Sequence, residues 1–325
     1  MATRTDAVTS TSLRGRVLAH FDAKRRNLIL GIAAGLLVVL CWAGWVVATR
    51  FAVTTHLRPF DIAFLRYLVA SAILTPVLFR EGLGLRRIGV WRTFVLVCGA
   101  GLPFLLVAST GMKFASASDV GAVMVGTMPV FVALFSMLIN QEQFDRIRMI
   151  GFAAVILGIV GIAAHGLFSF QSGAWRGHVL FLLGAAMFAG YTVTFRRTGI
   201  GPWHAAAIVN FYSLLIITPF YFLVSGSHLF SAEPGEVITQ AVMQGVIAAI
   251  VALFFFSEAV RRLGASQAAV LGSFTPVAVA LLGVPLLGEF PDRLTWLAIV
   301  VVSIGVVVAS GGFSRTRALR KQGTR

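Results

Sequence analysis

The chain has 325 residues, 58% of them hydrophobic and only 12% charged, with a mean hydropathy of +0.89. That balance excludes a soluble domain with a normally solvated surface and leaves a protein whose solvent is the lipid bilayer. A net charge of +15 would suggest nucleic acid in a soluble protein, but its distribution along this chain fits membrane orientation, so no nucleic-acid partner is expected.

Residues 1–26 are polar and basic and lack an apolar stretch ending in a small-residue cleavage site, so they read as a cytoplasmic tail, not a removable signal. A spanning helix needs about 20 mostly apolar residues. Ten stretches qualify: 27–49, 60–79, 93–112, 118–139, 148–166, 177–196, 203–225, 237–257, 266–287 and 293–312. A second basic tail follows at 313–325. The expected fold is therefore an all-α integral membrane protein of ten helices. When alternate loops are assigned to the two sides, 21 of the 27 Lys and Arg fall on one side. Only Arg50, Arg58, Lys113, Arg176 and Arg293 fall on the other, and Arg66 lies inside a span. Cytoplasmic loops are enriched in these residues, which puts both termini in the cytoplasm and the protein in the cell inner membrane.

The first span carries Gly31 and Gly35 at G-x-x-x-G spacing, which suits close helix packing and leaves a homo-oligomer open. Trp42 and Trp45 follow, mid to late in the span, as rings that line a cavity or anchor at the interface. In the second span Arg66 lies two turns inside Pro59, with Tyr67 beside it and Ser71 on nearly the same face. A charge at that depth costs ~2.5–3.5 kcal/mol on insertion scales and usually faces a bundle interior. A guanidinium there could hold a carboxylate bidentately; the alternative is snorkelling toward the outer boundary with Asp61 as partner.

Pro76, Pro129, Pro219 and Pro276 interrupt the second, fourth, seventh and ninth spans, as Pro103 does the third. Each removes a backbone N–H and frees the carbonyl four residues earlier, Val125 for Pro129 and Gly272 for Pro276. Such breaks at matching positions mark a gating or midplane site in transporters, or serve helix shape alone. Asp119 opens the fourth span and Glu258 closes the eighth. Both are candidates for proton coupling, although a helix cap and ion pairs to Arg261 and Arg262 account for them equally. Phe188 and Tyr191 in the sixth span and Asn210 in the seventh complete the candidate substrate-binding set. Cys41 and Cys98 both sit inside spans, and His56, His165, His178, His204 and His228 occur singly at loops or span ends. No metal or other cofactor is expected.

The chain is also written twice. "CWAGWVVATRFA" (41–52) aligns with "MFAGYTVTFRRT" (187–198), pairing Trp42 with Phe188, Trp45 with Tyr191 and Arg50 with Arg196. "PFDIAFLRYLVASAILTP" (59–76) aligns with "PWHAAAIVNFYSLLIITP" (202–219), and "MPVFVALFSMLINQEQFDR" (128–146) with "TPVAVALLGVPLLGEFPDR" (275–293). The last pair matches Glu142 with Glu289, Asp145 with Asp292 and Arg146 with Arg293, and Gly158 pairs with Gly305 in the same register. The units are 27–166 and 177–312, joined by a linker at 167–176. Five spans per unit is odd, so the second copy crosses the membrane in the opposite sense. Trp42, Trp45, Phe188 and Tyr191 then come from symmetry-related positions and line one cavity if their helices flank the axis. Asp145 and Asp292 stand where they would cap the fifth and tenth helices.

Two five-span copies, each with an aromatic-Gly motif ("WAGW", "FAGY"), with "FLRYLVA" in the second helix, "P-V-x-V-A-L" in the fourth and a following Glu ("LLGEF", degenerate as "NQEQF"), resemble the EamA-type transporters of the drug/metabolite transporter superfamily. The resemblance covers residues 30–312. It implies a ten-helix inner-membrane carrier without ATP hydrolysis, usually an exporter of amino acids or other small metabolites, with partners limited to its solute and the bilayer. A multidrug cation exporter would be expected to carry a buried carboxylate near the cavity, and the first span has none. A nucleotide-sugar carrier would need more buried cations than Arg66. A lipid-modifying membrane enzyme lacks support: there is no metal cluster, paired intramembrane carboxylate, G-x-S-x-G elbow or P-loop.

Overall fold

The computed structural model describes residues 5–140, 144–168, 173–225, 228–229, 231–263 and 265–310. It is all-α, with no strand among the described residues. The helices are α1 (Thr5–Thr54), α2 (Pro59–Glu81), α3 (Leu85–Ile88), α4 (Val90–Ala100), α5 (Leu102–Gly111), α6 (Ala117–Asp119), α7 (Gly126–Asn140) and α8 (Arg146–Phe168). After them come α9 (Ala174–Arg196), α10 (Pro202–Phe220), α11 (Pro234–Gln240), α12 (Ala252–Leu263), α13 (Ala265–Gly272), α14 (Thr275–Leu287) and α15 (Arg293–Ala309). Wider π turns at Val120–Val125, Tyr221–Ser225 and Ala241–Val251 join or extend some of them.

By length and composition, 8 stretches can cross a membrane, from Arg25–Thr54 to Val270–Leu287, and Arg293–Ala309 is a shorter apolar helix. Helix α8 is 23 residues long and packs along α15. The lateral surface is apolar, with Phe79, Leu138, Leu157, Phe222 and Leu223 largely exposed, as suits contact with lipid tails. The basic stretch read as a tail is helical from Thr5 and runs unbroken into the first span. The C-terminal tail and Glu142 lie outside the described residues.

Two expected single helices are each divided. The third span breaks at Gly101, between α4 and α5, and the ninth breaks at Ser273–Phe274, between α13 and α14. A proline near the start of α5 and α14 explains both, since Pro103 and Pro276 have no N–H to continue the ladder. At the first break the Leu102 N–H donates to the Ser213 hydroxyl at 3.0 Å, so α10 satisfies a group that α5 cannot.

The most extensive pairings join the first half to the second. Helix α1 packs on α12 and α14, and its repeat mate α9 packs on α4, α5 and α7. The self-paired contacts are α2 with α10, α8 with α15, and the Val120–Val125 turn with α14. Exchanging the halves therefore returns the same set of neighbours. Glycine packing repeats the pattern at atomic scale. A methyl group at Gly158 would stand 3.3 Å from the Ala298 carbonyl oxygen, and one at Gly305 2.9 Å from that of Gly151. Gly151 and Ala298 are repeat mates in the register that pairs Gly158 with Gly305. Gly31 and Gly35 are likewise used within the molecule, against Leu263 and Leu271.

Candidate substrate site

Helix α2 begins at Pro59 and is capped by Asp61. One Asp61 oxygen accepts from the Arg58 backbone N–H at 2.9 Å; the other accepts from the Tyr221 hydroxyl at 2.8 Å and the His228 N–H at 3.2 Å. Asp61 is thus fully engaged at the helix start and does not pair with Arg66. Arg66 turns toward the second half instead. Its Nη1 lies 3.4 Å from Gln244 Oε1 and its guanidinium carbon 6.0 Å from the centre of the Trp45 ring. Its buried Nε has no hydrogen-bond partner, and among the described residues no carboxylate is within ion-pair distance. A guanidinium in a span with one long hydrogen bond and a partnerless buried Nε is costly to keep.

Around Arg66 the first half meets the second. Trp45 donates its indole N–H to Gln244 Oε1 at 2.8 Å, and Tyr67 is completely buried beside Arg66 in sequence. Rings continue from Trp45 to Phe104 (6.4 Å between centroids), Phe188 (5.6 Å from Phe104) and Tyr191 (5.5 Å from Phe188). Three of the four expected aromatic residues thus form one row, with Phe104 as the link. Trp42 is elsewhere: it packs on Phe256 at 5.8 Å, in a small cleft with Gly35, Val38, Ala259, Ala268 and Gly272. Three residues leave the two rings only about 60° apart around α1, so the difference comes from the packed neighbours: Phe256 beside Trp42 and Phe104 beside Trp45. Ser71 and Asn210 are buried on the paired helices α2 and α10, each with one side-chain oxygen lacking a partner, and no hydrogen bond connects either to Arg66.

The irregular segments meet one another. The π turn Val120–Val125 ends four residues before Pro129, so the carbonyl that Pro129 frees lies in it, and the Gly126 N–H bonds back to Gly121 O. A methyl group at Gly121 would stand 2.9 Å from Pro276 Cα, at the start of α14. Thus the disturbed parts of the fourth and ninth spans touch. Pro76 and Pro219 lie inside α2 and α10, and the Tyr221–Ser225 π turn follows the second of them.

At the end of α1 the polar contacts are of another kind. Arg50 Nε donates to Glu289 Oε1 at 2.6 Å, and Arg50 Nη1 donates to the Met112 carbonyl. The second Glu289 oxygen accepts from the Ala117 N–H at 2.8 Å. The clasp therefore ties α1, the end of α5 and the start of α6 to the chain after α14. Gly288, with φ 67°, makes it possible: the left-handed turn ends α14 and directs Glu289 back over the bundle, where an L side chain would be strained. Asp292 caps α15 through the Thr295 N–H at 2.6 Å, and Asp145 accepts from the Arg148 N–H at 2.9 Å. Asp119 closes a capping box with Ser116 and lies 3.5 Å from His178 Nε2; Glu258 is held by Arg261 at 2.6 Å and Arg262 at 2.9 Å. Both carboxylates have structural partners and lie apart from Arg66.

Sequence reading passed over Gln244, Gln240, Thr49 and Phe104, and the partnership of Arg50 with Glu289. The legible signal was a pair of amides four residues apart in "ITQAVMQGVIAAIV", since an amide in a span must find partners on another helix.

A family model described as "EamA-like transporter family" matches residues 29–164 and again 175–311. An "Uncharacterized transporter" of Archaeoglobus fulgidus is 23% identical over 279 residues, covering 84% of this chain and 95% of that protein. The "Uncharacterized inner membrane transporter YedA" of Escherichia coli K12 is 23% identical over 292 residues, covering 88% and 92%, and the Bacillus subtilis "Uncharacterized transporter YetK" is 22% identical over 297 residues. A solved structure titled "Crystal structure of protein" superposes with a TM-score of 0.56 at 18% identity, over 86% of this chain and 95% of the other, which shows a shared fold. With most of its length matched in two copies, and a helical bundle whose neighbours are preserved when the halves are exchanged, the chain belongs to the EamA-like transporter family and is a multi-pass membrane transporter.

Proposed function

We propose that this transporter carries small metabolites bearing a carboxylate, amino acids first among them, out of the cell across the inner membrane by alternating access, with both termini cytoplasmic and ten helices in two inverted five-helix repeats. The observation that carries the reading is Arg66, a half-buried arginine whose Nε is buried and bare and which has no carboxylate partner among the described residues. A substrate carboxylate would supply the bidentate acceptor that the site lacks, while Trp45 and the ring row offer an apolar wall beside it. The preserved set of neighbours on exchanging the halves supports rocking about a central axis. In that orientation the Arg50–Glu289 clasp lies on the external face.

The test is counterflow in proteoliposomes loaded with one unlabelled amino acid at a time, following entry of the labelled compound. Selective exchange in the wild type that is lost in Arg66→Gln supports the reading. Wild-type silence across the panel, or full exchange by the variant, would overturn it.

A further inference from the structure

Gln244 sits in the wide-turned segment Ala241–Val251, and none of its surface is exposed. Its oxygen accepts from Trp45 Nε1 at 2.8 Å and Arg66 Nη1 at 3.4 Å, and its nitrogen donates to Thr49 Oγ1 at 2.8 Å and Gln240 Oε1 at 3.2 Å. The orientation of this amide follows from chemistry. An indole N–H and a guanidinium only donate, so the atom facing them is the oxygen. Thr49 donates its own proton to the Trp45 carbonyl at 2.6 Å, so it receives one from Gln244. Gln240 donates to the Ala48 carbonyl at 2.8 Å, which leaves its oxygen to accept the other. Both amide protons are thus used, one on Thr49 of α1 and the other on Gln240 at the end of α11.

One consequence concerns charge. The acceptor nearest Arg66 could have been a carboxylate of nearly the same shape, and Glu would still accept from Trp45 and Arg66. It would also neutralise the guanidinium and leave Thr49 and Gln240 without their donor. The amide keeps Trp45 in place while leaving the positive charge of Arg66 uncompensated.

We propose that Gln244 is the specificity-determining residue of the central site: it positions Trp45 and Arg66 with a neutral oxygen and so reserves the guanidinium for a carboxylate on the solute. This rests on the reading of Arg66 as the carboxylate-holding group. A negative charge at 244 would instead satisfy Arg66 internally, and the site would then favour the same solute with its carboxylate masked.

The test measures counterflow of the twenty proteinogenic amino acids and of their carboxamides, in wild type, Gln244→Glu, Gln244→Met and Arg66→Gln. The wild type is expected to prefer acids. Gln244→Glu should lower acid exchange by about tenfold or more, the scale of one charge-assisted hydrogen bond, while amide exchange holds or rises, inverting the acid-to-amide ratio. Gln244→Met removes the hydrogen bonds without adding charge and should depress both classes together. An unchanged ratio in Gln244→Glu, or an equal shift in Gln244→Met, would overturn the assignment. If Arg66→Gln also keeps the wild-type ratio, the carboxylate reading falls as well; if it loses acid preference while Gln244→Glu retains it, only Gln244 is misassigned. Should Gln244→Glu not fold, the double variant Arg66→Gln, Gln244→Arg returns the cation from the opposite helix. Acid preference restored relative to Arg66→Gln supports the proposal, and a ratio equal to that of Arg66→Gln overturns it.

Discussion

Arg50 and Arg66 lie sixteen residues apart in sequence and on adjacent spans, yet the protein treats them in opposite ways. Arg50, at the rim, has a carboxylate, a backbone carbonyl and a helix start drawn together around it. Arg66, in the interior, has one long contact to an amide and an unfilled donor. The rim could afford water as a partner, while the interior could not, so the satisfied cation is the one that needed it least. On the proposed reading, the difference separates charge that holds helices together from charge kept for the solute.

Four measurements would break or sharpen that contrast. The largest effect is expected from Arg66→Gln, which should lower amino-acid exchange about a hundredfold, the scale of a lost bidentate charge-assisted pair worth roughly 3 kcal/mol; membrane insertion should be intact by detergent size exclusion. Wild-type kinetics would make the two arginines equivalent. Next, Glu289→Gln should loosen the rim. In a Cys41→Ala, Cys98→Ala background carrying Ser109→Cys, one turn before Met112, an impermeant thiol reagent applied from outside should react about tenfold faster when the clasp is weakened by one charge-assisted bond. An unchanged labelling rate would make the clasp a static support.

A smaller effect is expected at the packed pair α8 and α15. Gly305→Ala places a methyl group 2.9 Å from the Gly151 oxygen and should lower thermal stability by about 1–3 kcal/mol, the usual cost of overpacking. Gly161→Ala meets nothing within 4 Å and serves as its control. Equal melting temperatures for the two variants would remove close packing as the reason for Gly305. The smallest effect belongs to Trp42→Phe. Because Trp42 stacks on Phe256 away from the ring row, exchange should change by less than about twofold, within the scatter of ordinary surface substitutions; a loss matching that of Trp45→Phe would place Trp42 in the substrate path.

Much of the helical layout was legible because apolar length is a direct reading of bilayer thickness. The duplication was legible because charges such as Asp145 and Asp292 seldom match by chance in so apolar a chain, and their capping role follows from position alone. The breaks at Gly101 and Ser273–Phe274 were signalled by Pro103 and Pro276, but a missing N–H does not say whether a helix bends or divides. The partners of Arg66 were not legible. Gln244 is neutral, sits 178 residues away, and meets Arg66 only because α2 packs against the Ala241–Val251 segment. Trp42 and Trp45 share a motif, and only packing decides that one faces Phe256 and the other Phe104.

The arrangement of neighbours also bears on how the protein is made. Since the most extensive helix pairings run from residues before Phe168 to residues after Ala174, the segment synthesised first has little to dock on while the ribosome is still translating the second. Helix α8, for example, gains its most extensive partner only with α15, the last helix among the described residues. Contacts so distant along the chain form late.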